Sequence, residues 1–133
     1  MDFQTFTTDL KNYKENEKRL KQAKFDLEQI LYDLCNVKGI SYDQVMVHGN
    51  PSQKALNWLK LEDRYNDKEA EVLRYETAMQ NVDMARRRLP ERLWSICYQK
   101  YVMGKTFREL GIRYGYSDHG MYQYLRRECE RYL

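Results

Sequence analysis

The chain has 133 residues with only two Pro and six Gly, and it is rich in Lys, Glu, Leu, Arg and Gln. That composition suits one helical domain, or a small domain with an extension, and disfavours a sheet protein with many turns. The formal net charge is +3, and no apolar run approaches the roughly 20 residues that span a bilayer. The start of the chain lacks the basic-then-apolar pattern of a secretion signal, so a cytosolic protein without a membrane partner is expected. Cys35, Cys97 and Cys129 are far apart, form no CxxC pair and lie away from His48 and His119 at zinc-ligand spacing. We therefore expect three buried free thiols, no metal and no cofactor.

The charge is polarised along the chain. Residues 1–85 hold 12 Lys/Arg against 15 Asp/Glu, and residues 86–133 hold 11 against 5. The last third is thus basic at +6, as expected for the part that meets phosphate.

From about Thr8 to Val37 the pattern predicts one long helix. Leu10, Tyr13, Glu17, Leu20, Lys24, Leu27, Leu31 and Leu34 follow at spacings of three and four, six of the eight being apolar. Thr7, Thr8 or Asp9 would cap its start and Gly39 its end. Residues 39–51 read as a loop whose Ile40, Tyr42, Val45, Met46 and Val47 should fold back on the helices. A second long helix follows from about Ser52 to Arg88. There Trp58, Leu61, Tyr65, Lys68, Val72, Tyr75, Met79 and Val82 repeat with heptad spacing. Two such helices joined by a modest loop predict an antiparallel, coiled-coil-like hairpin over residues 1–88, completed by a second copy in a homodimer or by another partner. Arg86, Arg87 and Arg88 end that helix favourably against its dipole.

Leu89-Pro90 breaks the pattern and opens a new unit over residues 89–133. Its first helix runs from Pro90 to about Val102, with Leu93, Ile96, Cys97 and Tyr101 inward, and stops at Gly104. A second helix, from about Thr106 to Tyr114, turns Phe107, Leu110, Gly111 and Tyr114 inward. Thr106 caps it, with Glu109 completing a capping box. Gly115-Tyr116-Ser117 is the turn, and a third helix from the Ser117 cap presents Met121, Tyr124 or Leu125, and Cys129 to the core. This is helix-turn-helix spacing. The small Gly111 lets the helices approach, and Gly115 takes the left-handed turn. The basic unit is expected to fold and bind DNA alone.

Leu89-Pro90-Glu91-Arg92, Tyr101-Val102-Met103-Gly104-Lys105-Thr106, Glu109-Leu110-Gly111 and Gly115-Tyr116-Ser117 resemble the fourth conserved region of bacterial sigma factors. The whole chain is similar to small phage regulators of the ArpU/RinA type. The stretch Ser41-Tyr42-Asp43 to Val47-His48-Gly49, leading into Pro51-Ser52, resembles the loop of an uncharacterised family among those proteins. The resemblance implies an all-α fold, a long helical hairpin followed by a three-helix sigma-region-four-like unit. It also implies activation of phage or prophage late genes for packaging and lysis, in the cytoplasm of a Gram-positive host. Gly111 stands where that pattern has alanine, Gly120 lies near the base-reading end of the third helix, and Tyr124 replaces a commoner aliphatic or polar residue.

Read from the residues, the outer face of the third helix comprises Ser117, Asp118, His119, Tyr122, Gln123 and Arg126, placed to meet base edges in a major groove. Lys105, Thr106 and Arg108 begin the second helix, where phosphate contacts are usual, and Arg113, Arg127 and Arg131 add positive charge. Double-stranded promoter or operator DNA is the expected partner, with host RNA polymerase as a protein partner. Seven of the twelve tyrosines lie in residues 98–133. Stacking on single-stranded bases is one reading, but Tyr98, Tyr101, Tyr114 and Tyr124 fall on inward faces and read as core. No catalytic site is expected. Gly104-Lys105-Thr106 mimics the end of a phosphate-binding loop, yet Gln99 occupies the required glycine position and no strand precedes it. Neither histidine has a hydrolytic constellation around it. Two alternatives remain: a small-terminase-like packaging subunit, in which the DNA-binding unit usually comes first, and a sigma mimic that binds polymerase without reading DNA.

Overall fold

The computed structural model describes residues 1–36 and 53–133, and among them every element is helical. The helices are α1 (Phe3–Lys11), α2 (Tyr13–Asn36), α3 (Gln53–Arg88), α4 (Glu91–Tyr101), α5 (Phe107–Tyr114) and α6 (Asp118–Glu130). The expected fold-back of residues 39–51, the Gly39 cap and the Ser52 start lie outside the described residues. The other expected boundaries from Arg88 onward agree to within a residue or two.

The N-terminal boundary differs. The helix starts at Phe3 rather than near Thr8, and its cap is Asp2, whose carboxylate accepts a hydrogen bond from the Thr5 amide at 2.7 Å. Hydrogen bonding from the Thr5 side chain, together with that amide bond, holds the Asp2 carboxyl below the usual carboxylate range. Thr7, Thr8 and Asp9 sit inside α1. Phe3, Phe6 and Leu10 recur at three and four residues and are all buried, so the apolar stripe begins two turns earlier than the pattern from Leu10 suggested. The helix is then interrupted at Asn12, where φ −94° and ψ 7° leave the helical well before α2 resumes.

The chain divides into two compact units: residues 1–17 with 77–133, and residues 18–76. This partition does not follow the boundary read at Leu89-Pro90. The reason is the core of the first unit. Leu93, Ile96 and Cys97 of α4, Leu110 of α5, and Met121, Leu125 and Cys129 of α6 pack with Phe3, Phe6 and Leu10 of α1 and with Val82, Ala85 and Leu89. Phe3 meets Tyr101 and Tyr122 edge-on at 6.4 and 6.3 Å, and Phe6 lies 6.4 Å from Trp94. Residues 86–133 alone would expose this face, against the expectation that they form a self-sufficient unit.

Within residues 18–76, α2 and α3 run antiparallel: Lys24 pairs with Glu76 at 3.4 Å and Asp26 with Lys68 at 3.6 Å. The α3 stripe is as expected, with Trp58, Leu61, Tyr65, Val72 and Tyr75 half-buried or buried. Lys68 takes its place in that stripe by pairing with both Asp26 and Glu71. The Glu71 hydrogen bond pushes the Lys68 ammonium above its ordinary range and draws the Glu71 carboxyl down. On α2 the register is shifted from the expected one. Ala23 and Ile30 are buried with Leu20, Leu27 and Leu34 half-buried, a 3-4 repeat, whereas Leu31 is 48% exposed. A register through Lys24 would bury Leu31, whereas the one through Ala23 leaves it outside.

Two other expectations change. Cys97 and Cys129 are buried free thiols, but Cys35 is exposed. Tyr101, Tyr114 and Tyr124 are half-buried as core-edge rings, but Tyr98 is 40% exposed beside Trp94.

Candidate nucleic-acid interface

The helix-turn-helix is built by α5 and α6, which pack closely against one another. Thr106 caps α5, its hydroxyl accepting from the Glu109 amide at 3.1 Å, which is half of the expected capping box. Gly115 closes α5 in the left-handed conformation at φ 84° and ψ 27°, a geometry that a side chain would strain. Ser117 then caps α6 by accepting from the Gly120 amide at 3.1 Å. The turn also explains Gly111. A Cβ there would strike the Tyr116 carbonyl oxygen, so an alanine does not fit at this crossing of α5 and α6. Tyr116 and Tyr124 stack with centroids 4.9 Å apart, which gives Tyr124 a packing role at the flank of the turn.

Met121, Leu125 and Cys129 are fully buried and fix the orientation of α6. The helical wheel then places His119, Gln123 and Arg127, four residues apart, along the centre of its outer face. His119 and Gln123 touch through ring and amide nitrogens at 2.9 Å. Arg126 lies to one side. It lines a groove in which Asp2, Phe3 and Thr7 of the N-terminal segment face Tyr122, Arg126 and Glu130, and its Nε donates to Glu130 at 3.1 Å. Three positions therefore differ from the expected ones: Arg127 occupies the outer centre, and Arg126 and Tyr122 lie on the flank. Ser117 serves as a cap, and Asp118 is exposed in the first turn, where its charge suits the helix dipole.

The remaining cations surround this face. Arg127 and Arg131 both pair with Glu128, at 3.5 and 3.2 Å. Exposed pairs of this kind are worth about 0–1 kcal/mol, so a phosphate can displace the carboxylate at little cost. Arg108 is exposed at the start of α5 and makes no ion pair among the described residues. Lys105 and Arg113 both reach Gln99. Arg92 and Arg113 lie with their guanidinium groups over the Tyr114 ring at 5.8 and 5.7 Å, and the Lys100 ammonium over Phe107 at 4.7 Å, so ring faces hold these charged heads in place. Arg92, Lys100 and Gln99 were not expected at the site. The signal for Gln99 was present, a polar residue three positions after Ile96 on the inward face of α4.

The thiols of Cys97 and Cys129 lie 3.6 Å apart in the core beneath α6. Their mutual hydrogen bond, reinforced by burial, drives the Cys97 thiol far above its ordinary range, which makes it an inert packing group. Among the described residues no cluster of His, Cys, Asp or Glu could hold a metal ion, and no helix is long and apolar enough to cross a membrane.

No family model, characterised protein or solved structure matches this chain.

Proposed function

We propose that the unit of residues 1–17 and 77–133 binds double-stranded DNA sequence-specifically, with α6 in the major groove, and that the protein regulates transcription. The observation that carries this reading is the outer face of α6. His119, Gln123 and Arg127 stand in a row on a helix oriented by a left-handed glycine turn and flanked by Arg108, Arg113, Arg126 and Arg131. All of the chain's net charge belongs to this unit. It holds 13 Lys/Arg against 10 Asp/Glu, while residues 18–76 hold 10 of each. Gln and Arg are the side chains that read adenine and guanine edges in pairs of hydrogen bonds. The resemblance to phage late-gene regulators gives the regulated genes as those for packaging and lysis, and leaves residues 18–76 to engage a second copy or RNA polymerase.

The test is a titration of wild type, Gln123→Ala, Arg127→Ala and Arg108→Ala. Each is measured against the DNA flanking the gene and against a scrambled duplex, at several salt concentrations. Gln123→Ala and Arg127→Ala should narrow the gap between the two duplexes by about 1–3 kcal/mol. Arg108→Ala should weaken both alike and flatten the salt dependence by about one unit. Wild type that binds no duplex would sink the proposal. Specificity lost in Arg108→Ala but retained in the two α6 variants would show that α6 is not the reading helix.

A further inference from the structure

Gln99 is a buried polar residue in a core-facing register, and every hydrogen-bonding atom of its side-chain amide is engaged. Its Nε2 donates to the Ser95 hydroxyl at 3.2 Å. Its Oε1 accepts from Lys105 Nζ and from Arg113, both at 3.4 Å. The amide cannot be turned over, since that would set its NH2 against two cations that only donate. The backbone enforces the same convergence. Gly104, at φ +79°, reverses the chain after α4, and the Lys105 amide returns to the Gln99 carbonyl oxygen at 3.0 Å.

Two positive charges are thereby held around one neutral oxygen, with their nitrogens separated by no more than twice 3.4 Å. Like charges at such a distance repel, and among the described residues no carboxylate pairs with either. Each cation spends one donor on Gln99 and keeps the others, so a tetrahedral oxyanion that meets both completes the arrangement. Lys105 precedes the capped start of α5, on the element where a helix-turn-helix meets the backbone of its DNA.

We infer that Gln99 is a positioning residue that joins Lys105 and Arg113 into one clamp for a single phosphate of the DNA backbone. This rests on the DNA-binding reading above and adds to it a residue that never touches DNA. The two cations act as a unit, and the negative charge of the ligand replaces the carboxylate that the protein withholds.

Gln99→Glu is nearly isosteric and supplies that carboxylate. The full-length variant should fold with an unchanged or higher melting temperature, because both cations gain a partner. Its affinity for scrambled and flanking duplexes alike should fall about ten-fold or more, with the salt slope reduced by about one unit. Lys105→Ala combined with Arg113→Ala should produce the same slope, and adding Gln99→Glu to that pair should change nothing further. Gln99→Glu that keeps the wild-type affinity and slope would overturn the clamp while leaving DNA binding intact. Losses that simply multiply in the triple variant would also overturn it. Wild type that binds no duplex would remove the DNA-binding reading itself, and the clamp with it.

Discussion

Eight side chains of the unit formed by residues 1–17 and 77–133 are fully buried: Phe6, Ala85, Ile96, Cys97, Leu110, Met121, Leu125 and Cys129, drawn from five helices. In residues 18–76 the described apolar residues that reach burial are Ala23, Ile30 and Val72, all on the facing stripes of two helices, with Lys68 and its carboxylates beside them. The first unit closes only when segments more than 70 residues apart in the chain meet. The second is held by a ladder of neighbouring heptad positions in which each helix covers one partner. Long-range closure gives a core that tolerates little loss, whereas a two-helix ladder spreads its stability over many small contacts. Helix α6 belongs to the first kind.

The comparison breaks most visibly at Phe6. It is 0% exposed and comes from the segment most distant from α6. Phe6→Ala should cost about 3–5 kcal/mol, measured by denaturant unfolding, and should accelerate amide exchange in α4, α5 and α6 while sparing residues 18–76. Loss confined to α1, with α4 to α6 still protected, would restore the last 45 residues as a self-sufficient unit.

A smaller effect sharpens the ladder. Ile30→Ala should cost about 2 kcal/mol, the lower end of the usual range because a two-helix face relaxes around a deletion. Leu31→Ala, one residue on but 48% exposed, should stay within about 0.5 kcal/mol. Equal losses in melting experiments would mean that Leu31 is covered, returning α2 to the register first read from its sequence.

The smallest effect is a pH dependence confined to the first unit. Burial pushes the Tyr101 phenol from its ordinary value of 10 up to about 12. A phenol raised on folding stabilises fully below pH 10. Above that the unfolded chain ionises first, and stability is lost as pH rises toward 12. With solvent screening allowed for on a half-buried ring, the loss is on the order of 1–2 kcal/mol. Alkaline unfolding of wild type should show this decline, and Tyr101→Phe should flatten it. An identical slope in both proteins would place the alkaline sensitivity elsewhere.

Much of this molecule was legible in the sequence because its signals are local. The helix content, the Pro90 break, the Thr106 and Ser117 caps, the Gly115 turn and the buried Met121 depend on residues within a turn or two of one another. The misreadings share one cause. The stripe through Lys24 and Leu31 differs from the one through Ala23 and Ile30 by a single step, and a lone helix cannot say which face its partner will cover. The start of α1 was missed for the same reason, since Phe3 and Phe6 matter only once α4 and α6 are there to receive them.

By itself, then, the sequence determined an all-α chain, a helix-turn-helix at its end and a basic final third, because hydrogen bonding, capping and charge act over a few residues. The tertiary structure alone decided that the N-terminal helix belongs to the core beneath α6. It also decided that Arg127 rather than Arg126 stands at the outer centre, and that Gln99 draws Lys105 and Arg113 together. Each of these depends on burial and on distances between residues far apart in the chain, and such distances exist only after the helices have packed.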